Sequence, residues 1–266
     1  MNIAIFWAFL ATIGTWSLTA LGAAVVVFFK APKQSLLNLM LGFSSGVMIA
    51  ASFWSLLQPA IVRAENTLKT PSYIIVTTGF LFGSFFIWAS DKAISYAILK
   101  TNSTYISENS KLNRIIMLIL SITLHNIPEG LAVGVAFGLL KENFTTSTLM
   151  GAISIAIGIG LQNFPEGAAV SLPLRREGYS RKKSFFYGQL SAIVEPIAGV
   201  VGAVLVSTIE TMLPFALSFA AGAMIIVAVH ELIPECQQSK AEHPYTATMG
   251  IIAGFAVMML LDVMLG

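Results

Sequence analysis

The chain has 266 residues, 56% of them hydrophobic and only 11% charged, with a formal net charge of +2 and a mean hydropathy of +0.81. A soluble domain carries about a quarter charged residues, so the composition excludes a soluble globular protein, and no nucleic-acid partner is expected. Three His and one Cys exclude a zinc-finger scaffold or a disulfide framework, and Cys236 reads as a plain buried thiol.

Crossing ~30 Å of hydrocarbon takes about 20 apolar residues. Eight spans are predicted, at Ile5–Phe29, Ser35–Val62, Tyr73–Leu99, Arg114–Leu140, Ser147–Leu174, Phe185–Ile209, Leu213–Glu235 and Thr246–Leu265. The first lacks a basic leader and runs on past Val27, so it is read as a retained span rather than a cleaved signal. A bilayer core without water requires helices here, because the period-2 alternation of a barrel is missing. Connections are short, which leaves a single transmembrane domain over 1–266 and an all-α fold.

Charge in the connections orients the spans. Lys30, Lys33, Lys100, Lys111, Arg114, Arg175, Arg176, Arg181, Lys182, Lys183 and Lys240 fall on one side, and Arg63, Lys69 and Lys141 on the other. Positive residues favour the cytoplasmic face, so both termini are expected outside, in a multi-pass protein of the cell (inner) membrane. The run from Arg175 to Lys183 reads as a topology anchor. Asn102-Ser103-Thr104 and Asn143-Phe144-Thr145 match a glycosylation tripeptide that arises often by chance.

Spans 4 and 5 carry matching hexapeptides, His125-Asn126-Ile127-Pro128-Glu129-Gly130 and Gln162-Asn163-Phe164-Pro165-Glu166-Gly167. A carboxylate inside a membrane span is expensive and marks an ion pathway or proton relay. A helix turns about 100° per residue, which sets Glu129 between His125 and Asn126 on one face and Glu166 between Gln162 and Asn163 on another. A short turn makes the two spans antiparallel, so the hexapeptides form an inverted pair like those that flank midplane sites in transporters. Pro128 and Pro165 disrupt the bonds to the carbonyls of Leu124 and Leu161, predicting kinks in both helices.

The pairs His125 with Gln162 and Asn126 with Asn163 suit two adjacent metal positions bridged by carboxylates, or one ion moving between them. Glu195, followed by Pro196 in span 6, is the expected third carboxylate, with Ser191 one turn earlier as an accessory. Imidazole with carboxylates and amides suits zinc, iron, manganese or cadmium better than copper(I), and a calcium cage has no use for His125. Such ions are expected as transported substrate, with no organic cofactor. At the inner end of span 7, His230 and Glu231 are candidates for an exit station, with Glu235 four residues on, and His243 reads as solvated surface. Gly130, Gly134 and Gly138 face away from His125 and predict a packing surface. Met48 in span 2 is a candidate soft auxiliary ligand. Asp91, Lys92 and Asp262 are read as residues near an interface.

At these residues the chain resembles the ZIP family of divalent metal transporters, in its GufA-like branch. The likeness extends over Ser171-Leu172-Pro173-Leu174-Arg175-Arg176-Glu177-Gly178-Tyr179, Glu195-Pro196, Phe219-Ala220-Ala221-Gly222-Ala223-Met224 and Glu231-Leu232-Ile233-Pro234-Glu235. It implies an eight-helix carrier of zinc and similar ions into the cytosol, usually homodimeric. The family's binuclear site maps onto His125, Asn126, Glu129, Gln162, Asn163, Glu166 and Glu195, with Met48 a looser match. The family's alternation moves spans 1, 4, 5 and 6 against 2, 3, 7 and 8. Many relatives have histidine where Gln162 stands and some have aspartate where Asn163 stands, so the site here carries less negative charge. The histidine-rich connection many relatives place between spans 3 and 4 has no histidine here, at Thr101–Leu112.

Two other classes compete. An intramembrane metal-dependent hydrolase would use a bound metal to activate water, yet His230-Glu231 lacks the second histidine of H-E-x-x-H. A proton-coupled carrier of an organic solute would not need His125 within a turn of Glu129 and an amide beside each glutamate.

Overall fold

The computed structural model describes residues 3–29, 33–67, 69–102, 110–141, 144–208, 210–237 and 245–265. Lys30, Asn143, Ile209, Lys240, His243 and the 103–109 part of the connection between spans 3 and 4 lie outside them. Every element described is helical, as hydrocarbon demands of backbone N–H and C=O groups. Helix α1 (Ile3–Ala24) tightens into a 3-10 turn at Val25–Val27, and α2 (Gln34–Ala51) runs through a π segment, Ser52–Leu57, into α3 (Gln58–Thr67). Then follow α4 (Ser72–Asn102), α5 (Ser110–Gly138), α6 (Thr146–Arg176), α7 (Arg181–Leu190) and α8 (Val194–Thr208). Helix α9 (Leu213–Val227) passes through a second π segment, Ala228–Leu232, into α10 (Ile233–Gln237), and α11 (Thr246–Leu265) closes the described chain.

Among the described residues, seven stretches are long and apolar enough to cross a bilayer: Ile3–Val27, Gln34–Asn66, Ser72–Ile94, Thr146–Arg176, Arg181–Val206, Leu213–Gln237 and Thr246–Leu265. The protein is an all-α, multi-pass membrane protein.

Local chemistry sets the ends. The Thr145 hydroxyl caps α6 by accepting from the N–H of Thr148 at 3.1 Å. Helix α6 stops at Gly178, whose φ of 98° lets the N–H groups of Gly178 and Tyr179 turn back to the carbonyls of Arg175 and Leu174, both at 3.2 Å. Ser180 then caps α7 by accepting from the N–H of Lys183, so this helix starts at Arg181, four residues before the predicted Phe185.

Prolines bear on the regularity of several of these helices. The helical assignment runs unbroken through Pro128 and Pro165. Irregular turns precede three other prolines: residues 191–193 ahead of Pro196, and the two π segments ahead of Pro59 and Pro234. A proline has no N–H and its ring presses on the carbonyl four residues back. Breaking the helix or widening one turn relieves that pressure.

The helices pack as two groups. Helix α1 packs on α6 and α8, and α5 on α8, while α2 packs on α11 and α4 on α9. Glycines make these seams tight. A Cβ on Gly134 would collide with the backbone of Gly199 and one on Gly22 with that of Phe164, within the first group. In the second group Gly46 meets Ile251 and Gly83 meets Phe219 in the same way. Gly130 and Gly138 also lie against α8, at Glu195 and Ala203, so the predicted glycine surface packs there. Between the groups the contact is softer, and Gly158 of α6 abuts the flexible side chain of Met258 in α11.

Candidate metal centre

Helices α5, α6 and α8 bring His125, Asn126, Glu129, Gln162, Asn163, Glu166 and Glu195 into the protein interior, none more than 4% exposed. Gln162 and Asn163 are consecutive, about 100° apart on α6, so they reach different neighbours. Gln162 Nε2 donates to Glu129 Oε1 at 2.7 Å, and Asn163 Nδ2 donates to both oxygens of Glu195 at 2.9 Å. One turn further along α6, Glu166 completes the set. Glu129 lies within electrostatic reach of Glu166 and Glu195, and Glu166 within reach of His125.

The hydrogen bonds and close contacts within the cluster run from helix to helix. The amides bond to glutamates, and His125 turns to another helix, with Nε2 2.6 Å from Glu231 Oε1. That contact lacks hydrogen-bond alignment. Asn126 Nδ2 donates to the carbonyls of Ile122 at 2.8 Å and Ser191 at 3.2 Å. Ser191 therefore contributes its backbone, freed by the break before Pro196, and its hydroxyl bonds Gly188 O instead.

The atoms left over define the site. Eight buried side-chain nitrogen or oxygen atoms among the described residues have no hydrogen-bond partner, and six belong to this cluster: His125 Nε2, Asn126 Oδ1, Glu129 Oε2, Gln162 Oε1, Asn163 Oδ1 and Glu166 Oε2. With each amide NH₂ already donating, the five oxygens among them remain as lone-pair acceptors, while His125 Nε2 lies beside the Glu231 carboxylate. Buried carboxylates that lack donors are unfavourable until a cation offsets their charge. No three His, Cys, Asp or Glu side chains converge on a single point among the described residues, so an ion held here would draw on further donors, for which the amide oxygens of the cluster are at hand.

Two hydroxyls missed by sequence reading touch the cluster. Ser44 of α2 donates to Glu166 Oε1 at 2.6 Å, and Thr15 of α1 donates to Glu195 Oε2 at 2.5 Å. Glu231 meets His125 rather than standing apart at a boundary, whereas His230 and Glu235 are exposed. Met48 is fully buried in the apolar core, one helical turn beyond Ser44. Asp262 is not idle at an interface. It accepts from Ser55 Oγ at 2.7 and 2.9 Å and from Ser154 Oγ at 3.2 Å, and it lines a cavity of about 560 Å³ with Arg63, Gln58 and Thr148.

Comparison with known proteins bears on what this cluster serves. Residues 100–262 match the family model described as ZIP Zinc transporter. The chain is 40% identical to Zinc transporter ZIP11 of Xenopus tropicalis, over 97% of this chain and 96% of that protein. It is 33% identical to Zinc transporter GufA of Myxococcus xanthus, over 93% and 94%, and 34% identical to Zinc transporter ZIPB of Bordetella bronchiseptica, over 93% and 78%. With the family model covering most of the chain and identities of this size running nearly end to end, the chain belongs to the ZIP zinc transporter family.

Proposed function

We propose that the protein carries divalent metal cations, zinc foremost, across the membrane toward the cytoplasm, with the buried cluster of α5, α6 and α8 as its ion site. The observation that carries this reading is the set of five unpartnered oxygens gathered in one buried cluster, two of them from carboxylates, a donor set that a dication suits. Glu129 Oε2 and Glu166 Oε2 supply charge, the amide oxygens of Asn126, Gln162 and Asn163 supply neutral ligands, and His125 Nε2 adds the nitrogen that favours zinc, cadmium, iron or manganese over calcium. Glu195, held by Asn163 and Thr15, extends the cluster to a second, carboxylate-bridged position. Met48 serves as a soft auxiliary contact. His230 and Glu231 serve the inner exit, with Glu231 taking the ion from His125.

Two helix groups, tight within and soft between, support alternating access by one group moving against the other. In this reading α5 also crosses the membrane, as span 4, which brings the number of spans to eight; it bends at Pro128 as α6 does at Pro165, and a single transmembrane domain fills 1–266. Both termini lie outside the cytoplasm, the membrane is the cell (inner) membrane, and the working unit is a homodimer. The relatives are named as transporters, which leaves the intramembrane hydrolase without support. Zinc uptake into vesicles holding purified protein tests the proposal. Glu129→Ala and Glu166→Ala should each abolish uptake while leaving a folded protein, and undiminished uptake by both would refute it.

A further inference from the structure

Ser44 is fully buried on α2, in the helix group that does not supply the cluster. Its hydroxyl has two acceptors in reach, Glu166 Oε1 at 2.6 Å and the carbonyl of Gln162 at 3.4 Å. The shorter contact, to a carboxylate, is the stronger kind. It holds Oε1 and leaves Oε2 as the buried, unpartnered atom of the carboxylate.

The contact sits at one end of a longer seam. Ser44, Met48, Ala51 and Ser55 recur at helical spacing along one face of α2 and the π segment after it, and Ser154, Gly158, Gln162 and Glu166 do so along α6. At the far end, Ser55 and Ser154 both donate to Asp262. Eleven residues separate Ser44 from Ser55, about 17 Å at 1.5 Å per residue. Two hydroxyl–carboxylate clasps therefore close the ends of an interface whose middle is apolar or small. A slide of one group past the other by a helical turn, about 5.4 Å, exceeds the length of any hydrogen bond.

We infer that Ser44 is a positioning residue for ion binding. It fixes the Glu166 carboxylate so that Oε2 joins the ligand set, and it does so only in the register seen here. Ion affinity is thereby tied to the relative position of the two helix groups. The inference rests on the reading of the cluster as the ion site. Ser45 is an internal control, since it is equally buried yet bonds within its own helix, to Gly42 O at 2.8 Å.

The test is zinc titration of full-length protein in lipid nanodiscs, together with zinc uptake kinetics. Ser44→Ala should raise the dissociation constant for zinc at least about tenfold, the loss expected for a hydrogen bond to a charged group. It should raise KM while changing maximal uptake by less than about twofold, since only one register is affected. Ser44→Thr should restore both values, and Ser45→Ala should match the unmodified protein. An unchanged constant in Ser44→Ala overturns the inference and leaves the ion site standing. So does a loss that Ser44→Thr does not rescue, or one that Ser45→Ala shares, because either marks a packing effect. Failure of the unmodified protein to bind zinc overturns the ion site itself.

Discussion

Glu129→Gln removes a charge and keeps a shape, and it should move two properties in opposite directions. Glu129 Oε1 accepts from Gln162, and Oε2 has no partner. In the variant the amide oxygen takes over the bond from Gln162, and the NH₂ brings two donors into a nest of acceptors. One new hydrogen bond is worth about 0.5–1.5 kcal/mol net, and relief of repulsion from Glu166 and Glu195 adds to it. The metal-free variant should therefore melt higher by roughly 2–4 °C per kcal/mol gained. Zinc binding should fall sharply. Taking one charge out of a buried ionic contact costs about 3–5 kcal/mol, which at 1.4 kcal/mol per decade raises the dissociation constant at least about 100-fold. Thermal unfolding with and without zinc reads both effects, because a ligand at 100 times its dissociation constant stabilises by about 2.7 kcal/mol. The unmodified protein should start lower and rise with zinc, whereas the variant should start higher and stay there. A variant that melts lower without metal and still rises with zinc would refute the reasoning.

Protons compete for the same imidazole and carboxylates, so the zinc dissociation constant should increase as pH falls from about 7.5 to 5.5, and a constant that does not change over that interval contradicts the ligand assignment. His125→Ala takes away the one nitrogen ligand, and competition uptake should show zinc losing its advantage over manganese, whereas an unchanged ratio of the two ions places His125 outside the shell. Gly134→Val puts a branched side chain against the Gly199 backbone and should lower the melting temperature by several degrees through overpacking of about 1–3 kcal/mol or more; a melting temperature like that of the unmodified protein shows that α5 and α8 do not meet as described.

The gathering of the candidate site residues in one buried cluster was largely legible because they violate the surrounding apolar pattern. Glu129, Glu166 and Glu195 have no reason to sit in hydrocarbon without chemistry to do, and repetition of the hexapeptide singled out their neighbours. Ser44 and Thr15 carried no such signal. A hydroxyl in a membrane helix ordinarily satisfies itself on a carbonyl three or four residues back, as Ser45 and Ser52 do here, and only tertiary contact separates the exceptions. Thr15 even bonds its own helix, at Thr12 O, as well as Glu195. The contact of Glu231 with His125 was hidden for a different reason. A regular helix places it by 100° steps, but the π segment over Ala228–Leu232 shifts that register and turns it toward His125. Pro234 was the available clue, since each π segment in the fold stands just before a proline.

The glycine seams also divide the molecule by how much sequence change it can absorb. At Gly22, Gly83 and Gly134 a single methyl would strike main chain, which cannot yield without prising two helices apart. At Gly158 the same methyl would meet a thioether able to swing aside, and at Gly14 and Gly151 it would meet open space. A larger side chain thus fits most easily at the open positions and at the boundary between the two groups. A change at that boundary would alter how one group rests on the other without disturbing either one inside.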